Sequence, residues 1–310
     1  MKTRRSRAII AALSLAVMAG ASVMTGSFAA AEQAVDATPS EAGVQRPASQ
    51  AAGTYAYNAG HPIFFGSPGS NPGSCTGGYT VYGTSGSFIL TAGHCGTVGG
   101  TVYGTGAAFG TLAHKKNGAP HGDSALISFS SNVIAYQIVV NPLNGARPGP
   151  GGQGRITGIM PTSEQTTGKA VGKMGKTSGW TEGTIVGTYD WKGVDAVLAD
   201  YPSGKGDSGG PVWRWDSAGL RAVGINVGYV TQGQGGPYVA GVYLPIETVL
   251  SQWGASMNVF SSATARQADG VLGADRPSEA LRKVSPGPVT DLPVGLPDIC
   301  ADIDCVFVEG

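Results

Sequence analysis

Glycine occupies 51 of the 310 positions, more than twice its usual share of about 7%. The glycines follow no period of three, which excludes a collagen-like triple helix. Each glycine inside a helix costs about 1 kcal/mol relative to alanine, so a helix-rich chain is excluded as well. Hydrophobic residues make up 41% of the chain and charged residues only 13%. That balance supplies a core and does not fit an intrinsically disordered chain. The remaining solution is an all-β globular chain of short strands joined by tight turns.

The formal net charge is 0, and no basic excess points to a nucleic-acid partner. The zero hides three unequal parts. Residues 1–31 carry Lys2, Arg4, Arg5 and Arg7 and no acid, residues 32–256 carry 12 acids and 12 bases, and residues 257–310 carry eight acids and four bases. The basic start, the apolar run Ala8–Met18 and the small residues Ala29-Ala30-Ala31 read as a secretory signal over 1–31. The rival reading is a membrane anchor, but Ser14, Gly20 and Ser22 interrupt the ~20 apolar residues that a spanning helix needs. No other stretch is long and apolar enough to span, so a secreted protein without a membrane partner is expected. Residues 32–53 read as a short leader or pro-segment, consistent with a zymogen. Residues 257–310 hold Pro286, Pro288, Pro293 and Pro297 and no clear strand alternation, so they read first as an acidic, solvated and disordered tail, with a removable pro-segment or a partner-binding tail as alternatives.

The four cysteines, Cys75, Cys95, Cys300 and Cys305, form an even set in a chain that reads as exported. Of the three possible connectivities, the local one, Cys75–Cys95 and Cys300–Cys305, is the simplest. No CxxC or HExxH spacing occurs, so there is no case for a metal site.

Between Thr54 and Trp253, short β-branched or aromatic runs alternate with turn signals. Examples are Thr80–Tyr82, Ser87–Thr91, Ser124–Phe129, Thr184–Val186 and Ala222–Ile225. This spacing predicts a barrel or sandwich. The Gly/Pro-rich run 144–152 reads as a linker between two β units, 54–143 and 153–256. One helix is predicted near the end of the second unit. It carries Ile246, Val249, Leu250 and Trp253 on one face, with Pro245 in its first turn.

The segment most able to do chemistry is Gly206-Asp207-Ser208-Gly209-Gly210-Pro211. Flanking glycines let substrate approach a serine closely, and such a turn can aim successive N–H groups at one point. The segment also satisfies G-x-S-x-G, the nucleophile elbow of α/β-hydrolases. That elbow needs its histidine downstream, and His61, His94, His114 and His121 all precede Ser208. The order His, Asp, Ser remains possible. His94, in Thr91-Ala92-Gly93-His94-Cys95, closes an apolar strand beside a cysteine that can hold it in place. Asp123 directly precedes the apolar run Ala125-Leu126-Ile127, where it can be buried and aimed at a ring nitrogen. His61, His114 and His121 read as surface or turn residues.

These three motifs, in this order, resemble the chymotrypsin-like serine peptidases. Gly175–Trp180 with Gly183-Thr184-Ile185, and Leu244-Pro245-Ile246 through Trp253-Gly254, are similar to the bacterial, streptogrisin-type branch. The resemblance covers roughly residues 60–256. It implies two six-stranded antiparallel β-barrels with a C-terminal helix and an active site between the barrels. It also implies a triad of His94, Asp123 and Ser208, with the N–H groups of Gly206 and Ser208 as oxyanion hole. The expected activity is peptide-bond hydrolysis through an acyl-enzyme, by a monomer acting on protein or peptide substrates without a cofactor. Two alternatives are a non-catalytic binding protein on a peptidase fold and a secreted serine esterase.

The sequence departs from that family in three places. There is no Ile-Val-Gly-Gly type start whose amino group could pair with the acid before the nucleophile. Lys173 matches the basic residue that fills this role in the bacterial branch, so a Lys173–Asp207 pair is expected. The cysteine pair that braces the specificity pocket is absent. Pro202 stands six residues before Ser208, where trypsin-type enzymes carry an acid, so a preference for Lys or Arg is not supported. Pro202, Ser203, Asn226, Val227 and Gly228 are the expected pocket residues.

Overall fold

The computed structural model describes residues 55–66, 73–191, 193–261, 281–288, 292–293, 300 and 305–310. The expected signal and leader, 1–53, lie outside the described residues. No helix among the described residues is long and apolar enough to cross a membrane.

In the first unit the strands are β1 (Tyr55–Ala59), β2 (Pro62–Phe65), β3 (Gly73–Thr76), β4 (Thr80–Gly83), β5 (Gly86–Thr91), β6 (Thr101–Tyr103), β7 (Ala108–Asn117), β8 (Asp123–Phe129) and β9 (Val133–Val139). Seven of them pair in the order β3-β2-β6-β7-β8-β5-β4. The two ends of this path are neighbours in the chain, because only Gly77-Gly78-Tyr79 separates β3 from β4. The chain bends there, so β3 and β4 act as one broken strand and the sheet curls into a six-membered ring. β1 and β9 pair in parallel beside it.

β5 and β8 are buried on both faces, which is why their apolar residues run on without alternation. Ile89, Ala125 and Ile127 point into the first unit, where they meet Tyr57, Ile63, Phe109 and Leu112. Leu90 and Leu126 join a second cluster that continues through Met174, Trp213, Ile225 and Leu244 of the second unit.

The second unit follows the Gly/Pro run with β10 (Ile156–Ile159), β11 (Ala170–Gly175), β12 (Gly179–Trp191), β13 (Val194–Ala199), β14 (Pro211–Asp216), β15 (Gly219–Gln232) and β16 (Tyr238–Pro245). Its order is β10-β15-β14-β11-β12-β13-β16, and β16 also pairs with β15. That extra pairing closes β11 to β16 into a ring of six antiparallel strands. The expected all-β class and pair of six-stranded barrels are therefore present.

Helix α1 (Ile246–Trp253) follows directly on β16 and buries Ile246, Val249 and Leu250. Pro245 is its N-cap with extended ψ, not a first-turn residue as expected. The helix ties the second unit to the first: Trp253 Nε1 donates to Ser124 Oγ at 3.0 Å, next to Asp123.

The region from 257 departs from the expected solvated tail. β17 (Met257–Phe260) pairs with β18 (Leu281–Val284), and Met257 and Val259 are fully buried. A last strand, β19 (Cys305–Glu309), pairs antiparallel with β15. The cysteines pair locally, Cys75–Cys95 and Cys300–Cys305.

Candidate active site

Strand β5 ends at Thr91, and the chain turns through a single 3₁₀ turn, Gly93–Cys95, that carries His94. Asp123 opens β8, which lies beside β5. Asp123 is fully buried and its two oxygens hold the same residue. Oδ1 accepts from the His94 backbone N–H at 2.8 Å, and Oδ2 accepts from the ring Nδ1 at 2.6 Å. One carboxylate thus fixes the position and tilt of the imidazole and leaves Nε2 as the acceptor nitrogen. The Cys75–Cys95 bridge anchors the other side of the turn to β3.

Ser208 sits in the turn before β14 and is fully buried. Thr76 of β3 stitches this turn to the first unit. Its N–H donates to Ser208 O at 2.8 Å and its Oγ1 donates to Gly206 O at 2.8 Å. Gly209 has φ +85°, and a Cβ there would lie 2.2 Å from Thr76 O and from Thr91 Oγ1. Only glycine fits that conformation and that close approach together.

The expected Lys173–Asp207 pair is present. Lys173 Nζ lies 2.7 Å from Asp207 Oδ2, and both side chains are fully buried. Asp207 also accepts from Ser178 Oγ at 2.5 Å, from the Thr177 and Ser178 N–H groups at 2.9 and 3.1 Å, and from Gly204 N–H at 3.0 Å. Burial pushes Lys173 below its ordinary pKa, and the charge of Asp207 only partly pulls it back. Burial would raise Asp207, but the charge and hydrogen bond of Lys173, with the Ser178 bonds, hold it below the usual carboxylate range.

Ser208 Oγ donates to Val227 O at 3.2 Å rather than to His94. His94 Nε2 is buried and makes no hydrogen bond. Both residues instead face one backbone group, that of Gly310. A Cβ on Gly310 would start 2.8 Å from Ser208 Oγ, and the same backbone biases His94 toward its protonated form. Burial lowers the His94 pKa. The hydrogen bond and charge of Asp123, then the charge of Glu309 and the Gly310 backbone, more than offset this and raise it.

Of the expected pocket residues, Ser203 and Asn226 meet: Asn226 Nδ2 donates to Ser203 Oγ at 3.1 Å. Tyr201 donates to Asn226 Oδ1 at 3.2 Å. Val227 and Gly228 lie on β15 next to Ser208. Pro202 does not join them; it is exposed, and its carbonyl accepts from Thr181 Oγ1 at 2.9 Å. His121 is exposed in a turn, and His114 is exposed on β7. His61 is half-buried against Tyr57. Glu309 and Gly310, assigned by sequence to the solvated tail, are the residues missed at this site. The signal was there in the β-prone run Cys305-Val306-Phe307-Val308, overshadowed by the prolines upstream.

Two groups of close His, Cys and acid side chains occur among the described residues. In Cys75/His94/Cys95 the sulfurs are already bonded to each other, so they offer no thiolate to a metal. The other is His94/Asp123/Glu309.

The fold matches solved bacterial protease structures. Thermobifida fusca protease A is 27% identical, covering 64% of this chain and 97% of that one, with a TM-score of 0.48. A Nocardiopsis protease is 23% identical over 64% and 97%, with a TM-score of 0.49. Cellulomonas bogoriensis chymotrypsin is 25% identical over 66% and 98%, with a TM-score of 0.48. The chain resembles bacterial chymotrypsin-like serine proteases. No family model matches it.

Proposed function

We propose that this chain is a secreted serine endopeptidase that cleaves peptide bonds through an acyl-enzyme at Ser208. The observation that carries this reading is the double hold of Asp123 on His94, on the same Gly310 backbone that Ser208 Oγ faces. Ser208 Oγ leaves Val227 O, transfers its proton to His94 Nε2 and attacks the scissile carbonyl. His94 then hands that proton to the leaving amine, and a water repeats the sequence to release the acid. Asp123 keeps the proton on Nδ1 and stabilises the imidazolium. The N–H groups of Gly206 and Ser208 receive the oxyanion, worth roughly 3–4 kcal/mol per donor. The leaving half of the substrate fits the cleft beside His94, lined by Phe65, Cys95, Tyr103 and Lys115. The Lys173–Asp207 pair positions the turn that carries Ser208. The basic, apolar start of the sequence and the disulfides support export.

The test compares an amide and an ester carrying the same acyl group. An endopeptidase cleaves both, whereas cleavage of the ester alone would make this chain an esterase. The pH profile follows from His94. Its pKa is raised by the neighbouring Asp123 and Glu309 carboxylates, and only the neutral ring accepts the serine proton. The amide rate is therefore expected to fall as pH drops through a value above the ordinary ~6.5 of a histidine. A rate flat from pH 5 to 9 would count against His94 as base.

A further inference from the structure

β19 lies along β15 in a continuous antiparallel register. Glu309 faces Gly228, Val308 faces Tyr229, Phe307 faces Val230, Val306 faces Thr231 and Cys305 faces Gln232. Gly310 follows at Ser208 Oγ. The strand therefore runs toward the nucleophile along the edge that holds Val227 and Gly228, and it reaches the serine at Gly310. An extended peptide awaiting acyl transfer needs that placement, with one residue at the serine and the preceding ones added to a sheet edge.

The side chains fit as well as the backbone. The Phe307 ring stacks on Trp191 with centroids 3.4 Å apart and lies nearly parallel to Tyr189 at 6.3 Å. Room for it comes from Gly228, where a Cβ would fall 2.3 Å from Val308 O and 2.6 Å from Phe307 Cζ. At the other end a Cβ on Gly310 would lie 3.2 Å from Gly228 Cα and 3.4 Å from Gly204 O. The Cys300–Cys305 bridge ties off the chain just before the strand, which limits the states it loses on docking.

We propose that Cys305–Gly310 is an intramolecular ligand of the cleft, lying where the acyl half of a substrate lies and excluding protein substrates while it is docked. The Tyr189–Trp191 slot is then a subsite for an aromatic side chain three residues before the residue at Ser208, and glycine is accepted at the serine. This rests on the proposed peptidase reading, because it takes Ser208 as the point from which the substrate register is counted. A tethered strand competes at an effective concentration of the order of millimolar, so a free peptide of equal fit is largely shut out.

The test measures binding rather than turnover, so it stands apart from the test of catalysis. Fluorescein-labelled Val-Phe-Val-Glu-Gly is titrated by anisotropy into three full-length chains: Ser208→Ala, Ser208→Ala/Phe307→Ala and Ser208→Ala/Phe307→Asp. Binding at least tenfold tighter to both double variants than to Ser208→Ala is expected, with the Asp variant the tighter of the two. The peptide with Ala in place of Phe is expected to bind at least tenfold more weakly than the Phe peptide to the same variants. Equal affinity for all three chains, including no binding to any, would overturn the intramolecular ligand. Equal affinity for the Phe and Ala peptides would overturn the aromatic subsite. Neither result bears on whether Ser208 is a nucleophile, which covalent labelling decides separately.

Discussion

Replacing Lys173 by methionine is expected to destabilise the protein by about 3–5 kcal/mol at neutral pH, the cost of leaving a buried charge without its partner. Asp207 is fully buried 2.7 Å from Nζ. Its hydrogen bonds from Ser178, Thr177 and Gly204 survive the substitution, but none of them carries a countercharge. The pH dependence gives a second reading. In the parent protein the folded-state pKa of Asp207 is held below its unfolded value. Its contribution is therefore present above the unfolded value and is lost only as pH falls through the lower, folded one. Without Lys173, burial is opposed only by the surviving hydrogen bonds, so the folded pKa rises from its parent value and the deficit of the variant should shrink as acid protonates Asp207. Urea denaturation at pH 7 and pH 4.5 measures both effects. The double variant Lys173→Met/Asp207→Asn should recover much of the loss, since a buried pair replaced as a whole costs little. An unchanged unfolding midpoint in Lys173→Met would show that the pair does not hold the turn.

Ser208→Ala is expected to lower kcat on the amide substrate by about 10⁶-fold, the scale of losing a nucleophile that acts as one unit with its base. Removing the hydroxyl leaves the Asp123–His94 bonds and the Thr76 bonds to the turn intact, because those to the turn run through the backbone oxygens of Ser208 and Gly206. Stability should therefore hardly change while the rate collapses. A stable Ser208→Ala protein that keeps even a hundredth of the parent rate would place the chemistry elsewhere.

The parts of this molecule that local chemistry dictates were readable from the residues. Thr91–Cys95, Asp123 before an apolar run and Gly206–Pro211 each carry their reason within a few positions, and the structure brings all three segments together. Lys173 and Asp207 were paired through the family resemblance, because Lys173, two residues before Gly175, stands where the bacterial branch carries a basic residue. Long-range pairing is what escaped. Nothing local to Cys305–Glu309 says that its partner is β15, some 75 positions earlier by the Thr231–Val306 register. Four prolines between Val284 and Asp298 made the surrounding composition read as solvated chain. Counting back from Ser208 fixes the place of Pro202 along the loop but not its surroundings: it is exposed, and its carbonyl accepts from Thr181. Met257 and Val259 were read as tail because the closing helix ends at Trp253, whereas the chain returns through a bridge between Tyr82 and Ser256 to bury both.

Covalent labelling of the reactive serine is the most direct test of the account. A small fluorophosphonate is added to the full-length parent, to Phe307→Asp and to His94→Ala, and the adduct is mapped by mass spectrometry of the digested chains. One adduct is expected, on Ser208, formed slowly in the parent, faster in Phe307→Asp and at least a thousandfold more slowly without His94. An adduct on another residue, or none on Ser208 in either the parent or Phe307→Asp, would contradict it.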